Sequence, residues 1–411
     1  MTDATDAADS LLSAHAVRER AHEMLAAAEN DKLANFTLHP DKLDYAADVV
    51  AQVIRDNYPS LQVPLHARWR HFRLAGVDLW PQLAAARQWD DAGAQARAAF
   101  DLAIVSVLLD AGAGPDWRYR DGITGLQVAR SEGLAIASLR MFEAGYFSAD
   151  PADPLRADAS ELAAFTAEDL ARGFQVSDHN PLTGLEGRAA LIARLGQNAL
   201  DNPAVFAVND AARPGGLFDH LVFAAAGKPL PAPDILRAVL HHLGPIWPGR
   251  IALDGVSLGD TWRHPAIVRD DETNGLIPFH KLSQWLSYSL VEPLQDGGVT
   301  VSDLDGLTGL AEYRNGGLFI DAGVIALRDP AAAGQGHEVW SELVVEWRAL
   351  TVALLDRIAP LVRQKLSLDA ADFPLGAVLE GGTWAAGRKL ANAKRPGGPP
   401  PIHVISDGTV F

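Results

Sequence analysis

Apolar residues recur every three to four positions along most of the chain, the spacing that places side chains on one face of an α-helix. The longest such stripe covers residues 339–366, and Pro360 is expected to bend that helix. The same spacing predicts the other helices around residues 17–25, 43–57, 81–111, 187–200, 233–243 and 278–294.

Alternating patterns that are typical of strands are short and few. The best candidates are residues 250–254 and 402–406. We therefore expect a mainly α protein with a compact, two-lobed helical fold and a few short peripheral strands. Residues 1–10 are expected to form a disordered tail, and residues 11–411 a single helical domain whose two lobes meet near residue 150.

Composition narrows the possible functions. The chain has 411 residues, of which 48% are hydrophobic and 21% are charged, so it can bury a sizeable core. Its formal net charge of −17 repels phosphate backbones, and nucleic acid is therefore not an expected partner. The absence of cysteine excludes disulfides, zinc–thiolate sites and cysteine nucleophiles. The polar start and the lack of an apolar run of about 18 residues predict a cytoplasmic protein with no signal peptide and no membrane span.

Polar side chains share one face of the predicted helix 278–294. Lys281, Gln284 and Tyr288 lie three and four positions apart, so they project in one direction and could together hold a sugar phosphate. The alternative is a solvated helix face with one ordinary lysine, which is the commoner situation for such residues.

A second candidate is the segment 312–317. Glu312, Tyr313 and Arg314 come shortly before two glycines, a pattern that predicts a helix ending in a sharp turn. At such a place Glu312 could act as a general base and Arg314 as an anchor for an anion. The alternative is a surface Glu–Arg pair before a helix cap.

Three further runs combine tryptophan with charged side chains. They contain Trp69 with Arg70, Asp260 with Trp262, and Trp384 with Arg388. Such runs can stack on a planar group and bind an anion, or they can be aromatic anchors covered by an arginine. The residues that end the chain, 406–411, are expected to dock against the body and close a site.

Two other motifs are set aside. Residues 255–259 match Gly-x-Ser-x-Gly, but a serine nucleophile elbow needs a helix directly after it, and Pro265 stands in that position. The histidines, including His241 and His242, lack metal-ligand spacing. We therefore expect no serine hydrolase, no metal and no cofactor.

Several segments carry a resemblance to a known family. They are Phe279–Leu286, Glu312–Leu318, Glu380–Arg388, Ser406–Phe411, Leu109–Gly114, Ser131–Ala135 and Gly184–Arg188. Together they resemble the uracil-catabolism protein four family, also called uracil-regulated protein three, over residues 11–411. The resemblance implies a place in a pyrimidine-degrading route, in which uracil becomes its ribonucleotide, a cyclohydrolase-like enzyme opens the ring, and urea is released.

Residues 279–281 with Gln284, and residues 311–314, are also similar to segments of the queuosine-phosphate salvage glycohydrolases. Those enzymes cleave a base from a ribose 5-phosphate, and the similarity implies a DNA-glycosylase-like helical fold. The chain departs from them at Glu312, where they tend to have aspartate, and it lacks their proline-containing continuation.

The two resemblances together imply an N-glycoside hydrolase that converts ribosylurea 5-phosphate, a ring-opened uridine nucleotide, to urea and ribose 5-phosphate. A carboxylate near C1 would stabilise the oxocarbenium-like transition state and deprotonate water, with Glu312 as the first candidate and Asp260 as the second. Lys281, Arg314 and Arg388 are the candidates for binding phosphate. The full set of expected substrate-binding residues is Trp69, Arg70, Trp262, His280, Lys281, Gln284, Tyr313, Arg314, Trp384 and Arg388.

Two other functions stay open on the sequence. One is an amidohydrolase or deaminase that acts on the ureido intermediate. The other is a non-catalytic partner that associates with the ring-opening cyclohydrolase-like enzyme. The expected partner is otherwise a small-molecule sugar phosphate.

Overall fold

The structure is a computed structural model that describes residues 3–209, 211–247 and 250–405. Its helices are, in chain order, α1 (Asp3–Leu11), α2 (Ala14–Glu29), α3 (Leu43–Asn57), α4 (Leu79–Ala85), α5 (Ala92–Leu108), α6 (Arg130–Glu143), α7 (Ala159–Ala163), α8 (Ala167–Gly173), α9 (Leu185–Asp201), α10 (Pro203–Phe206), α11 (Gly216–Ala225), α12 (Ala232–His242), α13 (Lys281–Asp296), α14 (Tyr313–Asp321), α15 (Glu342–Leu366), α16 (Leu375–Val378) and α17 (Trp384–Lys394). A π-helical turn, Leu379–Thr383, joins α16 to α17.

The strands are two or three residues long and occur in pairs. They are β1 (Phe36–Leu38), β2 (Arg73–Leu74), β3 (Val77–Asp78), β4 (Tyr119–Arg120), β5 (Gln127–Val128), β6 (Ala207–Val208), β7 (Ala211–Ala212), β8 (Leu230–Pro231), β9 (Ala252–Leu253), β10 (Val256–Ser257), β11 (Thr261–Arg263), β12 (Leu276–Pro278), β13 (Val301–Ser302), β14 (Ile325–Leu327), β15 (Gly336–Glu338) and β16 (His403–Ile405). Parallel pairing joins β8 to β13 and β15 to β16, and the other pairs are antiparallel. The predicted mainly α class is thus confirmed.

The described chain divides into two compact units. Unit 1 contains residues 3–66, 250–285 and 303–405, and unit 2 contains residues 67–209, 211–247 and 286–302. The residues near 150, where the sequence predicted a boundary, lie inside unit 2, and one division instead falls within α13.

Unit 1 is organised around α15. Almost the whole of this helix is buried, including Trp347, Leu350, Leu354 and Ile358 of the predicted stripe, and Pro360 lies inside it. Helices α2, α3 and α14 pack against α15, and α14 also packs against α17. Strand β11 pairs with β12 so that Trp262 lies opposite Ile277, which brings residue 260 close to the start of α13.

Unit 2 has its own core, in which α5 packs on α6 and α11, and α9 packs on α7 and α8. Its largest buried side chains include Trp117, Phe100 and Phe142. Asp101 is buried against Arg213, and it also accepts backbone N–H bonds from Ala157 and Gly215. Burial raises the pKa of Asp101, although the charge of Arg213 opposes this effect.

Several boundaries differ from those that the sequence predicted. The helix expected over residues 81–111 is two helices, because Asp91 caps the start of α5 by accepting the N–H of Ala94 at 2.7 Å. Residues that were expected to form a disordered tail belong to α1, which buries Ala8 and Leu11 against a small apolar cluster. Helices α6 and α17 were not predicted, since their apolar residues do not form a single clear stripe.

Candidate active site

Glu312 lies at the start of α14, and not at a helix end as its two glycines had indicated. It is the N-cap residue, and its carboxylate accepts the backbone N–H of Arg314 at 2.7 Å and that of Asn315. Burial raises the pKa of Glu312. The two N–H donors and the charges of Lys281 and His66 lower it, but they do not outweigh burial. The alternative of a surface Glu–Arg pair is therefore wrong, because both side chains are buried.

The glycines after Glu312 serve helix packing. A Cβ atom on Gly316 would lie 2.6 Å from Nε1 of Trp347 and 2.8 Å from Oγ1 of Thr351, both on α15. Gly387 of α17 similarly lies against the backbone of Arg314. Because no larger residue fits at these crossings, α14 is held tightly by its two neighbours, and the position of Glu312 is fixed.

Asp260, the second predicted carboxylate, accepts hydrogen bonds at both of its oxygens. Arg348 donates to both of its oxygens, at 2.8 and 2.7 Å. Nε1 of Trp262 and the backbone N–H of Lys281 also donate to it, at 2.7 and 3.0 Å. Burial would raise the pKa of Asp260, but the charge and hydrogen bonds of Arg348 lower it below its usual value. This carboxylate therefore stays ionised and acts as a structural anchor.

Arg348 connects the anchor to Glu312. Its guanidinium holds Asp260, and its Nε donates at 3.3 Å to the carbonyl of Ala311, the residue before Glu312. Since Asp260 also binds the first N–H of α13, one buried ion pair fixes the starts of both α13 and α14. The arrangement explains why Lys281 and Glu312, which are 31 positions apart in the sequence, interact through their charges.

A histidine–carboxylate pair completes the group. Nδ1 of His66 lies 2.7 Å from Oε2 of Glu380, and both side chains are largely buried. The charge of His66 also acts on Glu312. We call His66, Lys281, Glu312 and Glu380 the Glu312 cluster. Glu380 belongs to the segment Glu380–Arg388 that carries the family resemblance, whereas His66, between Leu65 and Ala67, belongs to no such segment.

His280 and Gln284 belong to the interior of unit 1. Nε2 of His280 lies 2.9 Å from the carbonyl of Leu11, and burial lowers the pKa of the imidazole, which favours its neutral form. Oε1 of Gln284 accepts the N–H of Thr308 at 3.3 Å. Gln284 and Tyr288 are both completely buried, so the alternative of a solvated face on α13 is wrong.

The remaining predicted residues of unit 1 lie at different depths. Arg314 is buried, stacks 4.9 Å from the ring centroid of Tyr313, and donates at 2.8 Å to the carbonyl of Gly398. Trp384 is half-buried, and the exposed Arg388 lies 5.8 Å from its ring. The turn before Trp384 reaches α14 through a hydrogen bond of 2.8 Å from Thr383 to Asn315.

Trp69 and Arg70 are part of unit 2. Nε1 of Trp69 donates at 2.7 Å to the carbonyl of Ser289, and Arg70 pairs with Glu292. They line a cavity of about 250 Å³ together with Trp80 and other residues of that unit. The structure therefore does not assign these two residues to the Glu312 cluster.

The motifs that were set aside form other structures. Residues 255–259 include β10, which pairs with β9 in an antiparallel hairpin. Asp254 and Gly255 form its turn, with positive φ angles of 47° and 79°. No helix follows the serine directly, since β10 leads to β11. Within the described residues, no group of three His, Asp or Glu side chains could hold a metal ion, and no helix is long and apolar enough to cross a membrane. The expected docking of residues 406–411 lies outside the described part of the chain.

Comparison with known proteins identifies relatives along almost the whole chain. A family model described as "Protein of unknown function (DUF1688)" matches residues 10–411. Protein urg3 of Schizosaccharomyces pombe is 39% identical over 417 residues, which cover 99% of this chain and 100% of that protein. Uracil catabolism protein 4 of Lachancea kluyveri is 38% identical over 437 residues, which cover 97% of this chain and 98% of that protein. Because both similarities extend over nearly full length, the chain belongs to the DUF1688 family, together with protein urg3 and uracil catabolism protein 4.

Proposed function

We propose that the protein acts in uracil catabolism and hydrolyses the N-glycosidic bond of ribosylurea 5-phosphate, releasing urea and ribose 5-phosphate. The name of its Lachancea relative supports the pathway. The observation that carries the reaction type is the buried Glu312, whose pKa is raised by burial and which interacts with Lys281 and His66. A buried carboxyl group with a raised pKa, beside a cation and an imidazole, is suited to acid–base chemistry.

The reaction replaces a C–N bond by a C–O bond at C1 of the ribose. As the bond to the ureido nitrogen breaks, C1 and the ring oxygen acquire positive charge. The carboxylate of Glu312 stabilises that charge in a site of low polarity, where electrostatic interactions are strong. Water then bonds to C1 and passes a proton to Glu312, which gives ribose 5-phosphate.

Lys281 is the favoured ligand for the substrate phosphate. It is partly exposed, it begins α13, and its charge reaches Glu312. Arg314, which donates to Gly398, and the exposed Arg388 beside Trp384 are the other candidates for this role. A single cation near the carboxylate holds the phosphate end of the substrate and leaves C1 facing Glu312.

The direct test is incubation of the purified protein with ribosylurea 5-phosphate, followed by separate assays for urea, ammonia and ribose 5-phosphate. Equal amounts of urea and ribose 5-phosphate are expected, unchanged by a chelator. Ammonia as the product would instead indicate an amidohydrolase or deaminase. Product that forms only when the ring-opening enzyme is present would indicate a non-catalytic partner.

A further inference from the structure

The His66–Glu380 pair has the geometry of an oriented acid. Nδ1 of His66 lies 2.7 Å from Oε2 of Glu380, which fixes the tautomer that carries hydrogen on Nδ1. Among residues 3–209, 211–247 and 250–405, none forms a hydrogen bond with Nε2 of His66. The second ring nitrogen is therefore available to a substrate beside Glu312.

The backbone that carries Glu380 is held in place. Glu380 lies in the π-helical turn Leu379–Thr383, and such turns within helices occur frequently at functional sites. A Cβ atom on Gly382 would lie 2.6 Å from Cγ1 of Val50, and one on Gly381 would lie 2.9 Å from Cγ1 of Val63. The turn therefore packs directly on α3 and on the segment that leads to His66.

We propose that His66 is the general acid that protonates the leaving ureido nitrogen through Nε2, and that Glu380 is the residue that positions it. This inference rests on the proposed function. Urea is a poor leaving group as an anion, so protonation of its nitrogen should accompany cleavage. The electron pair of the C1–N bond stays on nitrogen, which takes the proton of the His66 imidazolium. The proton that Glu312 receives from water returns to His66 through solvent, so the net reaction consumes one water.

The charged and aromatic groups around His66 come from several elements of unit 1. Glu380 accepts its hydrogen bond, and Glu312 lies within reach of its charge. The ring of Trp285 lies 6.3 Å away, on the first turn of α13.

The test compares two leaving groups. His66→Asn keeps an N–H for Glu380 but removes the acid. We expect its kcat on ribosylurea 5-phosphate to fall about 100-fold or more, because general acids typically contribute 10²–10⁴ in rate. With 4-nitrophenyl riboside 5-phosphate, whose phenolate leaves without a proton, the loss should be under about tenfold. Glu380→Gln should lower kcat less than His66→Asn does and leave KM nearly unchanged. The alkaline fall in kcat/KM of the wild type should be absent in His66→Asn.

His22→Asn is the matched control, since His22 forms a similar pair with Asp356 at 3.0 Å in the same unit. It should behave like the wild type with both substrates. Equal losses of His66→Asn with the two leaving groups, or an unchanged alkaline limb, would overturn the acid role while the proposed function stood. If the wild type does not cleave the nitrophenyl substrate, the presence or absence of the alkaline fall in kcat/KM in His66→Asn tests the acid role by itself. If the wild type releases no urea, both the proposed hydrolysis and the acid role of His66 are refuted.

Discussion

Glu312→Gln removes the charge of the carboxylate and keeps part of its role in capping α14. The two oxygens of Glu312 each accept one N–H group, from Arg314 and from Asn315, so the single amide oxygen of glutamine can accept only one of them and part of the cap is lost. What disappears is the negative charge that faces C1 as the sugar becomes cationic. Removal of one such electrostatic group typically lowers kcat about 10²–10³-fold. This corresponds to roughly 2.7–4 kcal/mol of transition-state stabilisation, at about 1.36 kcal/mol for each factor of ten.

The same substitution should have the opposite effect on stability. Burial raises the pKa of Glu312, so the folded protein holds a proton on this carboxyl more readily than the unfolded chain does. The stability that this proton provides is fully present below the unfolded-state pKa and is lost as the pH rises through the folded-state pKa. Because glutamine does not titrate, the Tm of Glu312→Gln relative to the wild type should increase from acidic to neutral pH.

The assay is steady-state kinetics on ribosylurea 5-phosphate, together with thermal unfolding at several pH values. Glu342→Gln is the control, since Glu342 lies in the first turn of α15 but is exposed. It should leave kcat unchanged. Lower activity with a higher relative Tm at neutral pH is the expected signature of a group retained for catalysis. Near-normal turnover by Glu312→Gln, or a change confined to KM, would refute the assignment of Glu312 to C1.

Four further outcomes are expected. Asp260→Asn breaks a buried ion pair with Arg348, so the free energy of unfolding in a denaturant titration should fall by about 3–5 kcal/mol; a smaller loss than about 1 kcal/mol would contradict its role as an anchor. Lys281→Ala should raise KM for the phosphorylated substrate and have little effect on the dephosphorylated one, whereas Arg314→Ala, which loses the bond to Gly398, should mainly lower stability by about 1.5–3 kcal/mol. Titration with duplex and single-stranded DNA should show no binding at physiological salt, and a salt-sensitive affinity would contradict the charge argument.

The sequence predicted the helical class and several long helices because their apolar stripes are regular. It also singled out the segment of Glu312 as a candidate site, but it assigned that segment to the wrong end of a helix. Two glycines after a charged run are typical of a C-cap, and only the packing of Gly316 against Trp347 shows that close helix contact is their purpose here. A pattern in one segment cannot contain that information, since the partner is 31 positions away.

The grouping of distant residues was predicted only in part. Lys281 and Glu312 do interact, as the shared character of their segments indicated. His66 was missed because a single histidine next to apolar residues gives no signal, and its partner Glu380 follows 314 positions later. Trp69 and Arg70 resemble binding residues by composition, yet their hydrogen bonds and ion pair are explained within unit 2. Composition identifies residue types that can bind, and tertiary contacts decide which of them meet.

Two members of the Glu312 cluster, Lys281 and Glu312, stand at helix starts, and this has a chemical consequence. Lys281 is the first residue of α13 and Glu312 is the N-cap of α14, and hydrogen bonds to Asp260 and from Arg314 hold the backbone at these two places. Arg348 joins these two starts through Asp260 and Ala311, so one buried guanidinium relates the backbone positions from which Lys281 and Glu312 project. An oxocarbenium-like transition state with a phosphate at its other end needs such a fixed separation between a positive and a negative group. The anchor is thus as necessary to the proposed chemistry as the residues that would contact the substrate.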